Sequence, residues 1–162
     1  MQKNSAGFTL IELILAIFFI TVGTVGAFSL LQRTLVLASI SSDQLKAAYL
    51  AQEGVEIVRN IRDSNWLAQR TSPSIAWDAN IDFDDKQADY QSRFLSTYND
   101  ANFLNIDSNG FYGHSLGTST KFKRKITISK AGNLINILVA VSWEERGRTH
   151  QFAAQTELTN WR

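Results

Sequence analysis

The chain reads as an α+β protein, with one long N-terminal helix packed on a small C-terminal antiparallel sheet. Two patterns predict this. The first is a proline-free stretch over residues 8–72, apolar at its start and helically periodic further on. The second is strict apolar/polar alternation over three segments in the last third, with turn residues between them. A third fact limits how the outer part is held. The chain has no cysteine, so disulfides, thiolate metal sites and a cysteine nucleophile are excluded.

The helix is expected from about Phe8 to about Arg62, roughly 80 Å at 1.5 Å per residue. From Phe8 to Leu31 the only charged residue is Glu12, and the run reaches the roughly 20 residues that span a bilayer. Beyond it, Leu45, Ala48, Ala51, Val55, Val58 and Ile61 recur at steps of three and four, an apolar stripe for packing on the sheet. Gly23 and Gly26 lie in the membrane half. They suit a segment that bends, although glycine is also common in membrane helices. Asp63, Ser64 and Asn65 are expected to end the helix, with Trp66 and Leu67 turning back on the core.

Residues 67–120 carry the weakest pattern. Arg70 to Ser74 reads as loop, and Asp82, Asp84, Asp85 and Asp89 as a solvated acidic loop around Phe83, since their spacing does not match an EF-hand. Asn109-Gly110 between apolar residues signals a hairpin. In the sheet, Phe122, Ile126 and Ile128 form the inward face of a first strand, followed by a turn at Ala131-Gly132-Asn133. Ile135, Ile137, Val139, Val141 and Trp143 form that of a second, followed by a turn at Glu145-Arg146-Gly147-Arg148. Phe152, Ala154, Thr156 and Leu158 form that of a third.

Glu12 decides the functional reading. A carboxylate in a membrane-length apolar helix costs roughly 2.5–3.5 kcal/mol at the helix centre, so it calls for a partner. The string Gly7-Phe-Thr-Leu-Ile-Glu12, behind a short polar start with Lys3, resembles the processing site of type IV prepilins and pseudopilins. A secretory signal peptide would instead have a shorter apolar core and a small-x-small site at its far end. The resemblance implies cleavage after Gly7 by prepilin peptidase, N-methylation of Phe8 as the mature terminus, and Glu12 neutralising the terminal amine of a neighbouring subunit. It also implies a pilin-like fold. Leu50-Ala-Gln-Glu-Gly-Val-Glu-Ile-Val-Arg-Asn-Ile-Arg-Asp-Ser-Asn-Trp66 and Leu158-Thr-Asn-Trp-Arg162 look like a minor-pilin subgroup, the type IV pilus modification proteins. On residues alone, Trp66 and Trp161 are large apolar caps at the sheet edges.

The resulting division is a leader 1–7, a transmembrane and assembly helix 8–31, an amphipathic continuation 32–66, a variable loop and hairpin region 67–120, and a three-stranded sheet 121–162. Removing residues 1–7 takes Lys3 from the 16 basic side chains and leaves them equal in number to the 15 acidic ones. No overall charge then favours a nucleic-acid partner. The basic run Lys121-Phe-Lys-Arg-Lys125 fits a nucleic-acid contact or, better, an edge or outer-face strand in which Arg124 alone turns toward Phe122 and Ile126. His114 and His150 are isolated, no zinc-spaced ligand set or phosphate-cradling loop is present, and no catalytic, metal or cofactor residue is assigned. The expectation is a non-enzymatic filament subunit. It would sit in the cytoplasmic membrane as a single-pass protein, N-terminus inside, before joining other pilin subunits in a surface or periplasmic filament. The alternatives are a pseudopilin of a type II secretion system or a membrane-tethered binding domain.

Overall fold

The computed structural model describes residue 7 and residues 9–160. Helix α1 (Leu10–Ala68) is followed by eight strands: β1 (Asp84–Gln87), β2 (Ser96–Thr97), β3 (Asn105–Ile106), β4 (Tyr112–Gly113), β5 (Thr118–Ser119), β6 (Phe122–Ala131), β7 (Leu134–Glu145) and β8 (Arg148–Thr159). The chain divides into two compact units, one ending at Ser42 and one beginning at Asp43.

The first unit is the N-terminal half of α1, uninterrupted through Gly23 and Gly26. It contains the segment of α1 long and apolar enough to cross a membrane. The threonine hydroxyls in its apolar stretch are satisfied internally at two positions. Thr21 Oγ1 donates to the Phe18 carbonyl (2.8 Å) and Thr24 Oγ1 to that of Ile20 (2.7 Å). Such bonding lets threonine sit in an apolar helix without an orphaned donor.

In the second unit, residues 43–68 of α1 lie on a five-stranded antiparallel sheet of order β2-β1-β6-β7-β8. The expected three-stranded meander is present as β6-β7-β8. Two further strands come from the poorly patterned middle region. There the acidic stretch is a strand rather than a free loop, because Asp85 pairs across to Thr127 and its carboxylate accepts from the Thr127 hydroxyl and the Lys125 ammonium. β6 is therefore an interior strand, not an edge. The Asn109-Gly110 hairpin forms as β3 and β4, which join β5 in a separate three-stranded sheet.

The inward faces agree with the alternation. Ile126, Ile128, Ile135, Ile137, Val139 and Val141 are almost wholly buried against Leu50, Ala51, Val58 and Ile61. Burying one such side chain stabilises by about 1.5–3 kcal/mol. Of the expected helix stripe, Ala51, Val55, Val58 and Ile61 are buried. Leu45 is exposed, while Asp43, Ala47, Gly54 and Ile57 are buried. Gly54 is a point of close approach. A Cβ there would lie 2.8 Å from Val139 Cγ1 and 3.2 Å from Arg124 Cδ. On β8, Phe152 has the inward register, opposite Val141, yet remains 36% exposed at the sheet margin.

The helix also runs past its expected end. Asn65 does not compete for its own backbone, because its side-chain amide donates to the carbonyls of Trp77 (3.1 Å) and Ala79 (2.6 Å). Trp66 turns into the core as expected, whereas Leu67 stays exposed. Trp77, Ile81, Leu95 and Leu104 complete the core from the middle region. The β7–β8 turn is Arg146-Gly147. Both have positive φ (54° and 72°), as a type I′ hairpin turn requires.

Candidate processing and assembly segment

Gly7 is exposed, and a Cβ placed on it would meet nothing within 4 Å. Phe8 and residues 1–6 lie outside the described residues, as do Trp161 and Arg162. Thr9 caps α1. Its carbonyl accepts the first helical bond from Leu13 N (3.2 Å), and its Oγ1 accepts from Glu12 N (3.4 Å). This is the forward half of a Thr-x-x-Glu capping box. Glu12 thus sits in the first turn, not at mid-helix, where the helix dipole favours a carboxylate by about 0.3–1 kcal/mol. The sequence argument from cost overlooked this local role, although the Thr9-Leu-Ile-Glu12 spacing carries it.

The basic run is compensated within the chain. Lys121 lies just before β6 and reaches the Asp43 carboxylate on α1, with Glu145 at 3.9 Å, so it does not share the outer face of Lys123 and Lys125. Lys123 pairs with Asp100 (3.3 Å) and Lys125 with Asp85 (3.1 Å). Arg124 is fully buried, as its register foretold. It meets Glu53 at 3.1 Å and donates to the carbonyls of Leu50 (3.2 Å) and Ala88 (2.9 Å). Burial lowers the Arg124 pKa, and the Glu53 carboxylate works against that shift. Burial likewise opposes the Asp43 charge. The hydrogen bond from Lys121 and the nearby ammonium groups nevertheless hold the Asp43 pKa below its ordinary value. Neither ion pair was legible beforehand, because each joins residues more than 70 positions apart.

His114 sits over Asp89, whose Oδ1 accepts from the His114 backbone N–H (2.6 Å) and lies 3.2 Å from its Nδ1. Burial depresses the imidazole pKa, and Asp89 only partly offsets this. Ser115 Oγ also donates to Asp89, at 2.8 Å. His150 stacks on Trp143 with ring centroids 5.4 Å apart. The two histidines are thus packed into separate environments. Among the described residues no group of His, Asp or Glu is disposed to hold a metal ion. An open cleft of about 950 Å³ lies beside the end of α1, lined in part by Asn60, Asn80, Tyr90 and Gln91, with Arg93 its one charged lining residue. Comparison of the chain with protein-family models, characterised proteins and solved structures returned no match.

Proposed function

We propose that the protein is a prepilin-like subunit, a minor type IV pilin. In this reading prepilin peptidase cuts it after Gly7 and methylates Phe8, and it is assembled into a filament through its N-terminal helix. The observation that carries the reading is Gly7-Phe-Thr-Leu-Ile-Glu12 placed directly ahead of an unbroken apolar helix. Four features support it: a cleavage residue without neighbours, an exposed apolar helical segment, a carboxylate in its first turn, and an α+β unit following it. The subunit is held in the cytoplasmic membrane by that segment before assembly, with its C-terminal unit outside. Glu12 then meets the ammonium of Phe8 on a neighbouring subunit, each offsetting the other's loss of water.

Two sets of variants test this. A Gly7→Val chain should stay at precursor size, and mature-sized product would refute the cleavage site. Glu12→Ala and Glu12→Gln should both be cleaved normally yet be missing from sheared filaments. A lone buried ammonium costs about 3–5 kcal/mol, whereas capping is worth about 1 kcal/mol or less. Glutamine keeps the capping box but not the charge. Wild-type incorporation of Glu12→Gln would therefore show that capping, not pairing, is the role of Glu12.

A further inference from the structure

The two edges of the five-stranded sheet differ sharply. One is β2, only two residues long. The other is β8, twelve residues long and paired to β7 in unbroken register from Arg148 to Thr159. Natural sheets blunt such edges with short strands, charges, proline or bulges. β8 has none of these between Thr149 and Thr156, a stretch with no proline and no Asp, Glu, Lys or Arg. Its side chains are mostly exposed, and among the described residues its outer backbone edge accepts and donates no recorded hydrogen bond. Phe152 stands half-open at the middle of the strand on the helix side. Unpaired charges lie beyond both ends of the neutral stretch. Arg146 and Arg148 flank one end and Glu157 the other, and none is in an ion pair among the described residues.

We propose that β8 is a strand-addition site for an extended segment of a different polypeptide. The guest strand runs antiparallel to β8, like every other pair in the sheet. It carries a basic residue beside Glu157, alternating apolar residues beside Phe152 and Ala154, and an acidic residue beside Arg148. Backbone bonds supply the affinity in this mode of recognition, and the alternate side chains and end charges supply the choice of partner. A second copy fits less well. Two-fold pairing of β8 with β8 turns the residue 43–68 helix of the second copy end for end. On the membrane-anchored reading proposed above, both chains enter one bilayer just before that helix, so the reversed copy is excluded.

The test uses the full chain in detergent micelles and a fluorescein-labelled peptide, Lys-Val-Thr-Val-Thr-Val-Thr-Val-Thr-Glu. Saturable binding by anisotropy is expected, together with slowed amide exchange confined to residues 148–159. N-methylation of the valine amides should weaken binding at least tenfold. Arg148→Glu should weaken it two- to fivefold, the range of a surface ion pair. A peptide ending in Lys should show the opposite preference between the two proteins. Absence of saturable binding, or equal binding of the methylated peptide, overturns the proposal. So does a chain dimer in the micelles that the peptide competes apart, since that assigns the edge to a second copy. None of these results bears on cleavage at Gly7 or on Glu12, which are read by precursor size and filament incorporation.

Discussion

Gly54 shows how a single missing side chain sets the distance between helix and sheet. In an exposed helix, glycine to alanine stabilises by about 1 kcal/mol through backbone entropy. At Gly54 the added methyl meets Val139 Cγ1, a stiff β-branched side chain at the centre of the core. The contact lies against buried Arg124 as well, so neither neighbour is free to retreat. Gly54→Ala is therefore expected to destabilise by about 1–3 kcal/mol, as overpacking does, despite its better helix propensity. Chemical denaturation of the detergent-solubilised chain measures this, and a stabilised variant would show that helix and sheet can separate slightly without loss.

At the scale of elements, the strands of the last third were legible because period-two alternation survives wherever one face is buried. Ile126, Val139 and Val141 fall where the pattern put them. The helix was legible as an element, and its stripe was right at Ala51, Val55, Val58 and Ile61 but not at Leu45. Leu45 fits a three-four spacing with Ala48, yet Asp43 takes a buried position because Lys121 comes to it from the foot of the sheet. An acidic residue has no apolar signature, so its partners had to be known first. β1 and β2 were hidden for a related reason. Their four and two residues are too short to show a period, and pairing creates them, β1 on β6 and β2 on β1. The core predicts its own sensitivity. Val58→Ala and Val141→Ala, each at a fully buried site, should cost about 1–3 kcal/mol apiece by lost burial and cavity formation. Denaturant midpoints test this, and an unchanged midpoint for either would place that residue outside the core.

For the whole molecule, acid should act in two stages. His114 has a depressed folded pKa, so it binds its proton more weakly folded than unfolded. Its contribution is complete above the ordinary value of 6.5 and is lost as pH falls from there to the folded value. Asp43, Asp85 and Asp89 are also depressed. Their contribution is complete above 3.8 and is lost as pH falls through their folded values. Denaturation midpoints followed downward from neutral pH should begin to fall below 6.5 and fall further below 3.8. His114→Gln should remove the first fall alone, and an unchanged profile in that variant would rule out the histidine contribution. A chain lacking residues 1–31 should remain soluble with mixed helix and strand by circular dichroism, because the unit beginning at Asp43 has its own core. An unfolded or all-helical fragment would show that the core needs the apolar segment.

The reach from Leu50 to Arg124 also has a meaning in time. Seventy-four positions separate the buried guanidinium from the helix carbonyl it donates to. A ribosome adding about 5–20 residues per second needs on the order of 4–15 s to cover that interval. Throughout it the helix stripe around Val55 and Val58 exists without the strands that cover it. The nascent chain must carry that greasy face unshielded until β6 and β7 emerge. The interval between making the helix and closing the domain is when this chain is most open to capture by a chaperone, or to loss by aggregation.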